Sequence, residues 1–326
     1  MNYDENIQQI FQRLGKSIIQ YSILGKGEAS IVYKVETSEG IFALKTALYP
    51  ERKKKILREA EIRNFFIEKG INCIPTPVYS DEALFPNGAV IYEFVPGIKP
   101  DFNDIKLIKQ FAQITSRVHQ IDYKLIEDGY SNLLKLYNFL EKTVEKIIGK
   151  FPHLMNQSII SAYEIGVKEF KELMSKEKDQ EMIGINAHLH GDLSDNFVVD
   201  SQKKIWLLDW ENSEYGDIVD EVCWFLSVND FSFEKRAIFF QEYQQSFSLA
   251  QKINFEDLFS LYAASNAILN ICWGVDQLDM NIKQKLEPER KLRDLAITAK
   301  EWEQYFSKEA SSLIIKGINY LTNEIS

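Results

Sequence analysis

The chain predicts an α+β fold, a small sheet-rich region followed by a larger helical one. Up to Val95, short runs of alternating apolar residues separated by turns read as strands with one helix inserted. The Pro96-Gly97 pair then breaks the pattern, and apolar residues beyond it recur at helical spacing. At 326 residues the chain is long enough for two domains. The break divides it into residues 1–95 and 96–326.

Taken in order, Tyr21-Ser22-Ile23-Leu24 leads into Gly25-Lys26-Gly27-Glu28-Ala29-Ser30, and Ile31 to Glu36 alternates like a half-buried strand. Glu39-Gly40 is a turn before a third strand, Ile41 to Lys45. Pro50 suits the first turn of a helix that carries Ile56, Leu57, Ala60 and Phe66 and stops at Gly70. Ala89 to Phe94 forms a mostly apolar strand after the Asn87-Gly88 turn. In the second region Leu107, Ile108, Phe111, Thr115 and Val118 share one helix face. A second stripe holds Leu133, Leu136, Tyr137, Leu140, Val144 and Ile148, and a third helix spans Ser158 to Met174. Phe197-Val198-Val199 and Ile205 to Leu208 are its only clear hairpin, and helices run on nearly to Ser326.

Composition excludes some functions. The chain has 48 acidic against 38 basic residues, a formal charge of −10, which argues against a nucleic-acid binder and suits a cationic small molecule. Cys73, Cys223 and Cys272 lack metal or redox spacing and read as reduced, partly buried thiols. The residues from Met1 to Asn6 lack a secretion signal, and no uninterrupted apolar stretch approaches the ~20 residues that span a bilayer. No membrane partner and a cytoplasmic location are therefore expected; oligomeric state is not legible.

Chemistry concentrates in His188-Leu189-His190-Gly191-Asp192-Leu193-Ser194-Asp195-Asn196 and in Leu208-Asp209-Trp210-Glu211. Asp192 can take a proton from a hydroxyl, while Asn196 and Asp209 carry the oxygens that hard cations prefer. That equipment suits phosphoryl transfer from a magnesium-bound nucleotide to an alcohol. Gly25-x-Gly27-x-x-Ser30 lies between two strands, where glycines let backbone amides approach phosphates. Lys45 ends an apolar strand and needs a partner. Glu59 suits that role better than Glu61, because it keeps helical register with Ile56 and Phe66.

These motifs stand in the order found in the aminoglycoside phosphotransferase and choline kinase family, which the chain resembles over about residues 20 to 225. The resemblance implies a protein-kinase-like bilobal fold, with a small antiparallel-sheet N-lobe and a larger helical C-lobe. It implies use of ATP or GTP with Mg2+ to phosphorylate a small molecule. Asp192 would be the catalytic base, and Asn196 and Asp209 the metal ligands. Backbone groups of Glu93 and Val95 would bind the purine, and Lys45, held by Glu59, the phosphates. Aminoglycosides, choline or ethanolamine, and other amino-alcohols all remain open as acceptors, as does a non-catalytic relative.

One departure stands out: only Leu193, Ser194 and Asp195 separate Asp192 from Asn196, where the family usually has four residues. Either a tighter loop still presents Asn196, which is the preferred reading, or Asp195 substitutes, or activity is lost. His190 is expected to fix this loop by hydrogen bonding. Asp217 and Asp220 are expected to anchor the following helix, with capping one possible means. Ala264, Ile268, Ile271 and Val275 should face the core. Trp273, on a neighbouring stripe, reads as a core aromatic.

Overall fold

The computed structural model describes residues 3–27, 29–121, 133–175, 186–245, 255–285 and 287–325. Met1, Asn2 and Glu28, and the side chains of Leu133, Leu134, Glu256 and Asp257, lie outside this description. The chain forms two compact units: Met1–Ile126 with His188–Glu214 and Ser232–Lys252, and Glu127–Ala187 with Tyr215–Phe231 and Ile253–Ser326.

The first unit opens with helix α1 (Asp4–Arg13) and a five-stranded antiparallel sheet. Strands β1 (Ile18–Lys26), β2 (Ser30–Thr37), β3 (Gly40–Ala47), β4 (Pro77–Asp81) and β5 (Ala89–Glu93) lie in the order β1-β2-β3-β5-β4. Between β3 and β4 runs α2 (Lys53–Glu68), entered through a short 3-10 turn at Pro50–Arg52. The Ile71 N–H bonds the Phe66 carbonyl past its end, and Gly70 takes the left-handed conformation required there.

Strand parity decides which side chains meet which helix. Phe42 and Leu44 of β3, with Ile91 of β5, pack into a cluster with Ile7, Ile10 and Phe11 of α1. The alternate residues Ala43 and Ala47 of β3, with Val90 and Tyr92 of β5, pack with Ile56 and Ala60 of α2. Lys45 shares the parity of Ala43 and Ala47 and so is delivered to the α2 face. The single helix expected in this region is a correction: α1 is a second one. Its spacing of Ile7, Ile10 and Phe11, acidic first turn and terminal Arg13 form an ordinary amphipathic helix complementary to its dipole.

The first unit also holds α3 (Ile105–His119) and the hairpin of β7 (Phe197–Val199) and β8 (Ile205–Leu207), with α7 (Phe233–Gln244). The expected stripe on α3 is buried, and Asp104 caps its start by accepting the Lys106 N–H. The connector after β5 is stitched to the hairpin: Ile98 and Val199 exchange backbone hydrogen bonds of 3.0 and 2.8 Å. A Cβ at Gly97 would stand 2.8 Å from Val198 side-chain atoms, so this approach needs glycine. Short strands β6 (Asn186–Leu189) and β9 (Glu214–Asp217) were not anticipated from the sequence, being only four residues each.

The second unit is helical: α4 (Leu133–Lys150), α5 (Gln157–Ser175), α6 (Ile218–Val228), α8 (Phe255–Gln284), α9 (Pro288–Tyr305) and α10 (Lys308–Ile325). Ala264, Ile268, Ile271 and Val275 of α8 are buried as expected. Over Leu258–Gln284 this helix is long and apolar enough to cross a membrane, and 72% of its most apolar window is buried inside the protein. Trp273 corrects the core reading. It is 56% exposed, with the Lys291 ammonium over its ring, because it lies off the buried stripe. All three cysteines are free and buried.

Asp217 caps α6 by accepting the Val219 N–H at 2.9 Å, and it also accepts the Tyr262 hydroxyl. Burial pushes its carboxyl up to about 6, against the pull of these two bonds. The folded chain therefore keeps this proton at pH values where the unfolded chain has lost it. Stability from this group is fully present below the ordinary carboxyl value of 3.8 and is lost as pH rises through about 6. The shift is worth on the order of 3 kcal/mol. Asp217→Asn should flatten that slope, read by denaturant unfolding at about pH 4 and about pH 7. An unchanged slope would remove Asp217 as its source.

Candidate active site

Lys45 is the hub. It is 3% exposed, and its ammonium lies 2.9 Å from Glu59 Oε2, 2.6 Å from Asp209 Oδ1 and 2.9 Å from Glu211 Oε2. Burial alone would depress the ammonium, but Glu59, Asp209 and Glu211 together hold it well above the usual lysine range. Glu59 is fully buried whereas Glu61 is exposed, so helical register alone picks the right partner. Burial pushes the Glu59 carboxyl up, but Lys45 and then Arg63 pull it further down, and it stays ionised.

Helix α2 grips the segment after β8 at three points. Glu59 Oε1 accepts the Trp210 N–H at 3.1 Å, Lys55 donates to Asn212 Oδ1 at 3.0 Å, and Arg58 donates to the Ser213 carbonyl at 3.2 Å. Asp209 sits in the left-handed region with φ of 53°. Asp tolerates that better than most residues, and the turn lets its carboxylate face Lys45 while Trp210 sinks into the core. Trp210 is fully buried, its ring centroid 4.9 Å from Phe66 and 4.5 Å from His190.

His190 fixes the loop that carries Asp192. Its Nε2 lies 2.7 Å from the Leu208 carbonyl, and its Nδ1 accepts the Asp192 N–H at 3.3 Å. The imidazole therefore carries its proton on Nε2 and ties the two motifs together. Ser213 Oγ lies 2.6 Å from His188 Nε2, which gives His188 a structural place. Asn196 donates to the Asp192 carbonyl at 3.0 Å, and its own carbonyl accepts the Leu208 N–H at 2.8 Å, one residue before Asp209. Ser194 Oγ donates to Asp192 Oδ1 at 2.6 Å. In the shortened loop Leu193 is buried, and Asp195 turns outward to pair with Lys99. Asn196 keeps its place directly before β7.

Gly25 is the penultimate residue of β1, Gly27 follows the strand's end, and Ser30 opens β2; the Gly27 N–H bonds the Ser30 carbonyl at 2.9 Å. No atom lies within 4 Å of a Cβ built on Gly25. Along β5 the backbone alternates: Glu93 donates to the Thr76 carbonyl and Phe94 to the Ile41 carbonyl. The Glu93 carbonyl therefore points away from β3, as its N–H does. Val95 follows in the connector.

Among the described residues, Glu59, Asp209 and Glu211 are the group whose carboxylate oxygens lie close enough for one metal ion, within 4.8 Å of one another. This all-oxygen set fits a hard cation such as Mg2+. The Lys45 ammonium lies within 2.9 Å of an oxygen of each of the three carboxylates, and Glu59 is further bound to Arg63 and the Trp210 N–H. Glu211, named in the sequence motif Leu208-Asp209-Trp210-Glu211 without an assigned contact, lies 2.9 Å from Lys45. Its signal was the Asp-x-Glu spacing, which sends Trp210 inward and returns Glu211 to the side of Asp209.

No protein-family model matches the sequence, and no curated protein matches it. Solved structures do. Choline kinase LicA from Streptococcus pneumoniae superposes with a TM-score of 0.62 at 16% identity, over 97% of this chain and 99% of that one. Macrolide 2'-phosphotransferase MphH from Brachybacterium faecium gives 0.65 at 12% identity, over 88% and 96%. Spectinomycin phosphotransferase APH(9)-Ia, solved with ADP and spectinomycin, gives 0.62 at 14%, over 95% and 98%. The chain thus has the kinase-like fold shared by choline kinases and by aminoglycoside and macrolide phosphotransferases, the fold that its motifs predict.

Proposed function

We propose that this protein is a small-molecule kinase that moves the γ-phosphoryl group of ATP or GTP onto a hydroxyl of an amino-alcohol or aminoglycoside-like acceptor. The observation that carries the reading is the convergence of Glu59, Asp209 and Glu211 on a buried Lys45, with Asp192 tied through His190 to Leu208, the residue before Asp209. A structural ion pair needs one carboxylate, whereas three beside one lysine suit a site that also takes a cation and a polyphosphate. Support for the reaction class comes from the similar solved structures named above, a choline kinase, a macrolide phosphotransferase and a spectinomycin phosphotransferase.

In this reading Asp192 accepts the proton of the acceptor hydroxyl as its oxygen bonds the γ-phosphorus and the bond to the β–γ bridging oxygen breaks, leaving the nucleoside diphosphate. Ser194 and the His190 bond fix the carboxylate and backbone of Asp192. Lys45 steadies the phosphates, under the turn of Gly25, Gly27 and Ser30, and the backbone of Glu93 and Val95 receives the purine. Asp209, Asn196 and Glu211 would hold Mg2+, which neutralises phosphate charge when bound. The acidic balance of the chain suits a cationic acceptor, and its three free thiols suit a reducing compartment.

Acceptor-dependent release of ADP or GDP across amino-alcohols and aminoglycosides tests the reaction. Turnover with at least one class is expected. Magnesium-dependent nucleotide binding without turnover on any hydroxyl compound would leave a binding protein instead.

A further inference from the structure

Arg63 is a second buried cation beside Glu59 and has no role in the scheme above. It lies one turn after Glu59 on α2 and is 3% exposed. Its Nε donates to Glu59 Oε1 at 3.0 Å, and its Nη2 donates to the same oxygen. The guanidinium lies 4.0 Å from the ring centroid of Tyr92 on β5. Glu59 is therefore divided: Oε2 serves Lys45, while Oε1 serves Arg63 and the Trp210 N–H. In water such a pair one turn apart is worth little, but here both groups are buried.

A Lys45 that engages a nucleotide divides its three donors between phosphate and the carboxylates around it, while its pairing with Glu59 stays in place. Were it the only cation on Glu59, that sharing would leave a buried carboxylate under-compensated, and the penalty would oppose binding. Arg63 approaches the other oxygen and packs against Tyr92, so its hold on Glu59 does not depend on what Lys45 contacts. We propose that Arg63 is a positioning residue of the nucleotide site, holding Glu59 aimed at Lys45 and compensated while Lys45 engages phosphate. The inference rests on the nucleotide-binding reading given above.

The test is a double-mutant cycle read by titration with magnesium-ATP and magnesium-GTP, alongside thermal melts. Arg63→Leu should weaken nucleotide binding at least about tenfold while still melting cooperatively. Arg63→Lys, which keeps the charge but not the planar fork, should fall between that and wild type. In a Glu59→Gln background, Arg63→Leu should add less than about twofold. A merely structural arginine would lower the melting temperature and leave affinity unchanged, which overturns the proposal, as would full additivity with Glu59→Gln. If the leucine variant does not fold, Arg63→Lys carries the same cycle. Absence of nucleotide binding by the wild-type chain overturns this proposal together with the reading beneath it. Wild-type binding with unaltered Arg63 variants overturns this proposal alone.

Discussion

Asp192→Ala should lower kcat by about 10²–10⁴-fold, roughly 3–5 kcal/mol of barrier, with nucleotide affinity held within about threefold. The expectation follows from how Asp192 is held. Its N–H is tied to His190, its carbonyl to Asn196 and its carboxylate to Ser194, and none of these three bonds involves Lys45. Removing the carboxylate therefore leaves the lysine cluster intact. Asp192→Asn gives the same result by a gentler route, because it keeps the shape and removes the base. Initial rates at saturating acceptor, paired with a nucleotide titration, separate the two effects. Turnover within about tenfold of wild type would remove Asp192 from the proton transfer.

Gly191→Ala should be the most damaging single methyl in the first unit. Gly191 has φ of +82°, where an L side chain costs about 1–2 kcal/mol. A Cβ there would stand 2.0 Å from the Asn212 carbonyl oxygen and 2.6 Å from its carbon, so backbone must move. Asn212 and Ser213 are the residues that Lys55 and Arg58 of α2 hold, so displacement would propagate to Asp209 and Asp192 together. A loss of at least about 3 kcal/mol of stability is expected, with activity lost in whatever remains folded. Gly25→Ala is the control: its Cβ meets nothing within 4 Å, and stability should stay within about 0.5 kcal/mol of wild type. Equal stability of the two variants would contradict the packing described for Gly191.

Much of this site was legible because it rests on local periodicity. Strand parity puts Lys45 on the same face as Ala43 and Ala47, and helix register puts Glu59 with Ile56, so their meeting follows from spacing once strand and helix are recognised. The loop and hairpin flanking Asp192, Asn196 and Asp209 were legible for the same reason. The contact of Glu211 with Lys45 and the place of Arg63 were not, because both depend on which buried charges lie across from them in space. Trp273 was misplaced because a tryptophan on an apolar helix scores as core, whereas one step off the buried stripe exposes it. Helix α1 is ten residues long with three buried apolar positions, shorter than the span over which helical periodicity is decisive. The short strands β6 and β9 carry too few residues for alternation to show.

The most direct test is a calorimetric titration of the wild-type chain with ATP and with GTP, each with and without magnesium, repeated on Asp209→Ala. The account expects one nucleotide to bind at least about tenfold more tightly with magnesium, and that gain to vanish in the variant, whose Lys45 and Glu59 remain paired. Binding of neither nucleotide under any of these conditions, or a magnesium gain that survives loss of Asp209, would contradict it.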